Sequence, residues 1–124
     1  MKKTVLLFNF DEKRLPLVKQ AIMPLKTGIK VVEKKDFHQV LGYLADIPGF
    51  QAIEGEATET FDDEMLVMAG FTGSDVNALL MALKKHKLRV DLKAVMTMTN
   101  SLWDCVKIHD AVKADHEEMH KNNA

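Results

Sequence analysis

The 124-residue chain has the length of one compact domain. Hydrophobic residues make up 47% and charged residues 28%, a globular balance that can bury a core without covalent staples. A formal net charge of −1 removes the overall basic character that advertises nucleic acid, and the lone Cys105 excludes an intramolecular disulfide and any multi-cysteine metal site.

The start, MKKTVLLFNFDEKR, resembles a signal peptide only briefly. Its apolar run is too short for an h-region, and no stretch approaches the ~20 apolar residues of a membrane helix. A cytoplasmic location and no membrane contact are expected. Thr4–Phe10 is a continuous apolar run and predicts a buried strand. Leu15, Val18, Ala21, Ile22 and Leu25 then recur at helical spacing, with Pro16 in the first turn and Pro24 near the end. Ile29–Glu33 predicts a second strand. Asp36 and Gln39 have capping-box spacing for a second helix carrying Phe37, Val40, Leu41 and Leu44.

Residues 46–64 differ from the rest. They hold seven acidic residues and no Lys or Arg, broken by Pro48, Gly49 and Gly55. A solvated acidic connector is the favoured reading, with a short strand possible at Phe50–Ile53; a docking surface or a loose divalent-cation site is the functional alternative. Met65–Ala69 and Leu92–Met96 predict two further strands. Between them, GFTGSD opens a helix carrying Val76, Leu79, Leu80 and Leu83. Ser101 and Asp104 have capping-box spacing for the last helix.

This alternation predicts an α/β fold. Two β-α-β-α units, residues 1–45 and 64–120, would flank the connector 46–63 and precede a tail at 121–124. Together they would form one domain, 1–124, with a small, mainly parallel four-stranded sheet flanked by helices. The second half also carries AVMTMTNSLW, with Ala94, Val95, Thr97, Asn100 and Trp103, and an acid-rich final helix ending DHEEMH. Over residues 64–119 it resembles the bacterial domain-of-unknown-function family 3783. That resemblance implies a fold and carries no activity.

Three places could hold chemistry. HEEMH at 116–120 matches the H-E-x-x-H zinc helix, and His109, His116 and His120 share one stripe. No ligand-bearing residue follows, since only Lys121, Asn122, Asn123 and Ala124 remain, so a weak metal site is the most that stripe supports. Met119 is expected to face the core and His116 to lie at its edge. The second place is the carboxyl edge of the sheet, where α/β folds bind ligands. Asn9, Asp11, Thr72, Ser74, Thr97, Thr99 and Asn100 fall there and could hold a small molecule or an anion at helix N-termini, as a binding protein or as an enzyme. Helix capping explains the same residues and is favoured. GFTGSD is neither a dinucleotide fingerprint nor a Walker loop, and no acid ends the strand MLVMA as a phosphoacceptor receiver would need. The third is Cys105, one turn before His109, which reads as a small buried hydrophobe ahead of a nucleophile.

KKHKLR at 84–89 is a basic cluster that a helix C-terminus already favours. Residues 1–45 carry nine Lys and Arg against four acids, so charge is segregated along the chain. That segregation points to a protein partner or self-association, and without interleaved aromatics it is a poor signal for nucleic acid. Eight methionines read as adaptable packing. The expectation is a small α/β domain without catalytic residues or cofactor, acting through protein contacts or regulation.

Overall fold

A computed structural model describes residues 2–122 of the backbone and the side chains of 2–119. The strands are β1 (Thr4–Phe8), β2 (Gly28–Val32), β3 (Met65–Ala69) and β4 (Leu92–Val95). The helices are α1 (Arg14–Ile22), α2 (Leu41–Leu44), α3 (Gly73–Lys85) and α4 (Cys105–Asn122), with single 3₁₀ turns at Met23–Leu25, Lys34–Asp36 and Asn100–Leu102.

The fold is α/β, but its four-stranded sheet is mixed and not mainly parallel. Strand order is β2-β1-β3-β4. β1 pairs with β2 and β3 with β4 in parallel, whereas β1 and β3 meet antiparallel, Thr4 opposite Ala69 and Phe8 opposite Met65. The long connector between α2 and β3 contains no crossover helix, so the chain returns beside β1 in the opposite direction. Periodicity within each strand carries no information about that join.

β1 and β3 are buried at every position, which is why both read as unbroken apolar runs. Their side chains alternate between two cores. Leu6, Phe8, Met65 and Val67 face α2, α4 and the connector's Phe61. Val5, Leu7, Leu66 and Met68 face α1 and α3, meeting Val18, Ile22, Leu79 and Leu83. Each fully buried side chain of this size contributes roughly 1.5–3 kcal/mol by leaving water.

Several expected caps resolve differently. Asp36 lies in a 3₁₀ turn, and α2 starts only after Val40, whose extended backbone bridges to Asp104. Gln39 is buried and grips the connector instead, accepting from Ile53 N (2.8 Å) and donating to Ile53 O (2.9 Å). That side-chain clamp stands where a short strand at Phe50–Ile53 was expected. Ser101 Oγ donates to Met98 O, and Asp104 itself precedes α4, accepting from Lys107 N at 2.8 Å. Trp103 packs against the core below α4, with Lys107 Nζ 4.6 Å from its ring centre. Met119 is 65% exposed and does not face the core, because α4 runs on past the sheet it covers.

Candidate functional site

The antiparallel join gives the sheet two carboxyl ends and not one. Five-residue strands at about 3.4 Å per residue separate them by about 17 Å. Asn9 and Asp11 therefore lie at one end, and Thr72, Ser74, Thr97, Thr99 and Asn100 at the other. The seven residues expected along a single edge do not converge on one ligand.

At the β1 end Asn9, Asp11, Arg14, Asp63 and His109 are engaged by the chain itself. Asn9 takes the left-handed conformation (φ 64°) that ends β1, and its amide donates to Phe61 O (2.8 Å) and Asp63 O (3.0 Å). Asp11 accepts from Lys13 N and Arg14 N ahead of α1, and those backbone bonds from Arg14 first lower its carboxyl below the usual range. Arg14 Nε meets Glu64 at 2.7 Å, while its Nη2 donates to Arg89 O at 2.7 Å. Phe61 stacks between Phe37 (4.4 Å between ring centres) and His109 (4.0 Å). His109 is only 5% exposed and holds a carboxylate at each ring nitrogen, Asp63 at Nε2 (2.8 Å) and Asp110 at Nδ1 (3.0 Å). The hydrogen bond to His109, then that from Lys113, holds the Asp63 carboxyl below its ordinary value.

The opposite end is different in kind. Thr72 and Asp75 form a full capping box on α3, reinforced by Lys3 at 3.3 Å from Asp75. Thr97 and Asn100 close a tight turn: Asn100 Oδ1 accepts from Thr97 N (2.7 Å), and Thr97 Oγ1 accepts from Asn100 N (3.1 Å). Asn100 Nδ2 donates to Val95 O, so both residues spend their polar atoms locally. Ser74 and Thr99 are exposed. Beside this turn lies a groove of about 540 Å³ whose walls include Ile47, Phe50, Phe71, Met96 and Leu102. Among the described residues no charged side chain lines it. Met98 stands at its rim 92% exposed and Leu102 is 67% exposed.

Sequence reading missed this groove, because Ile47 and Phe50 sit in a segment dominated by acids. The available signal was DIPGF itself: two large apolar residues flanking a turn, in a stretch otherwise polar. It missed Asp63 as a partner of His109 for a different reason. Their 46-residue separation leaves no periodic trace.

The histidine stripe does not assemble as a cage among the described residues. His109 spends both nitrogens on carboxylates, and two helical turns, about 10.5 Å, separate it from His116. His116 lies toward Asp91, whose lowered carboxyl pKa owes most to Arg89 and less to the His116 charge. The side chain of His120 lies outside the described residues. No group of three or more metal-capable side chains forms among those described. Cys105 is fully buried, its Sγ 3.7 Å from Gln39 O, and burial pushes its thiol pKa far up, so it is an inert hydrophobe and not a thiolate paired with His109.

The fold thus defines a mixed-sheet α/β domain whose polar groups are largely self-satisfied and which carries an uncharged apolar opening beside the Thr97–Asn100 turn. Residues 64–119, β3 through most of α4, match the family model described as a domain of unknown function (DUF3783), in agreement with the resemblance read from AVMTMTNSLW. No curated protein and no solved structure matches the chain. No helix among the described residues is long and apolar enough to cross a membrane.

Proposed function

We propose that this chain is a non-catalytic interaction domain that recognises an apolar segment of a partner protein at the groove beside Thr97–Asn100. The observation that carries this reading is the uncharged groove with Met98 and Leu102 exposed at its rim. Large apolar side chains are rarely left in water together unless something covers them. Interface centres are depleted in charge and enriched in Met and aromatics, the composition of this lining. With no charge in the walls, the complementary occupant is an apolar, uncharged stretch of chain. Met96 and Met98 give the surface a shape that adapts to it. The chain's two halves act in this reading as two β-α-β-α units, the second bearing the site and the first closing the sheet. The lone buried cysteine suits a cytoplasmic, reducing setting.

Installing benzoylphenylalanine at position 98 in cells and irradiating tests it. The expected outcome is a cross-link to a distinct protein whose purified form binds the purified chain. Leu102→Glu should weaken that binding by about tenfold or more, the loss of an anchor worth over about 1.4 kcal/mol, with thermal stability unchanged. A cross-link to a second copy only, or binding indifferent to Leu102→Glu, would sink the reading.

A second reading has its own observation. At about 540 Å³ the groove falls within the range of small-molecule sites, with Thr97 and Ser101 among its walls. Its ligand would be apolar and neutral, since no cation is present in the lining to hold an anion. A thermal-shift screen with small apolar molecules tests it; a hit that survives replacement of Thr97 and Leu102 places the ligand elsewhere.

A further inference from the structure

A second opening lies away from the apolar groove. It is an open groove of about 700 Å³ between the end of α3, the start of β4 and α4. Its floor is apolar, from Leu80, Leu88 and Val90, and its rim is basic, from Lys84, Lys87 and Arg89. Residues 84–93 carry five cations against the single acid Asp91. A helix C-terminus accounts for one or two of these cations. It does not account for cations continuing through the loop into β4 around an apolar floor. Lys84, Lys85 and Lys87 are exposed and form no ion pair among the described residues.

The connector presents the opposite character. Glu54, Glu56 and Glu59 are exposed and likewise form no ion pair among the described residues. Ile53, beside them, is a large apolar side chain 48% exposed, while its backbone is clamped by Gln39. The clamp holds Ile53 as one apolar anchor, and the chain then bends at Glu54–Gly55 and presents the acids beside it. An exposed apolar anchor flanked by acids complements an apolar floor with a basic rim.

We propose that two copies of this chain associate head to tail, the connector strip Ile53–Glu59 of one copy lying in the basic groove of the next. The contact joins two different surfaces, so it builds rings or open chains and not a closed symmetric pair. It is independent of the apolar groove and of that groove's partner. Long-range charge attraction brings the copies together, so association weakens as salt shortens the reach of the field.

Sedimentation velocity on the purified full chain tests this, between about 0.01 M and about 1 M salt, where the Debye length falls from about 30 Å to about 3 Å. Concentration-dependent higher-mass species should form at low salt and dissociate at high salt. Lys84→Glu combined with Lys87→Glu should abolish them, and so should Glu54→Lys with Glu56→Lys and Glu59→Lys. Mixing the two reversed variants should restore association, because each then offers the charge the other lacks. All changes are on exposed side chains, and circular dichroism verifies that both variants fold. The idea is overturned if the wild type stays monomeric at low salt, if either reversal leaves association intact, or if the mixture fails to reassociate.

Discussion

The two ends of this sheet received similar polar residues and used them oppositely. At the β1 end, Asn9, Arg14, Asp63 and His109 stitch the connector onto the end of β1, α1 and α4. At the β3–β4 end, Thr72, Asp75, Thr97 and Asn100 close their own turns and leave apolar side chains uncovered beside them. The first end is closed by the chain's own acids and cations, so a ligand there would have to displace bonds already made. The second end breaks none of these bonds when a partner arrives, because Thr72, Asp75, Thr97 and Asn100 are paired among themselves and the apolar side chains beside them are in water. Polar residues at a strand end are thus poor guides to a site, and what lies uncovered beside them is a better one.

That contrast breaks first at Phe61. Its ring joins Phe8, Phe37 and His109 into one stack and is the connector's principal anchor in the core. Phe61→Ala should cost about 3–5 kcal/mol, measured by urea unfolding, through lost burial and the cavity left behind. If the closed end is closed by this stack, hydrogen exchange should rise across the connector and His109 while β4 and the Thr97–Asn100 turn stay protected. A loss spread evenly over both ends would show that they are not separate.

Much of the core was legible in the sequence, and the site was not. TVLLF and MLVMA are apolar at every position because both strands are covered on both faces, and that pattern survives in one dimension. The Thr72–Asp75 cap acts within four residues and is equally visible. The direction in which β3 meets β1 is set by how a long connector returns, which no local pattern encodes. A parallel join would merge two distant ends of the sheet into one edge. Gln39 shows the same limit on a smaller scale. Its spacing from Asp36 suits a capping box, yet its amide is worth more holding the backbone of Ile53, a partner fourteen residues away.

Gly42 sharpens the comparison at the open end. It lies in α2, and a Cβ there would come within 2.6 Å of the Phe50 ring, which forms a wall of the apolar groove. Phe50 stands on the connector and its ring can swing aside, so Gly42→Ala should cost only about 1 kcal/mol. The displaced ring should reshape the groove. Chemical-shift changes are expected at Ile47, Phe50, Phe71 and Leu102, with Asn9 and His109 unmoved. Changes reaching His109 would mean that the two ends communicate through the connector.

The smallest effect probes the closed end by pH. The Asp63 carboxyl lies below its ordinary value because His109, and then Lys113, hold its charged form. The folded state therefore binds that proton less readily than the unfolded chain does. The stabilisation is fully present above the ordinary carboxylate range, near about 3.9. It is lost as pH falls from there through the depressed folded value. Asp63→Asn removes this one contribution, so its stability should fall less steeply than the wild type's across that acid window, while lying below it at neutral pH. Asp63 is close to half exposed, which keeps the difference modest. Asp75 provides the control at the other end. Its carboxyl is lowered chiefly by the backbone of Thr72, and Asp75→Asn should flatten the same acid limb without altering exchange in the connector. If Asp63→Asn leaves both the acid slope and connector exchange unchanged, the His109–Asp63 pair is not what closes the β1 end, and the stacking of Phe61 closes it alone.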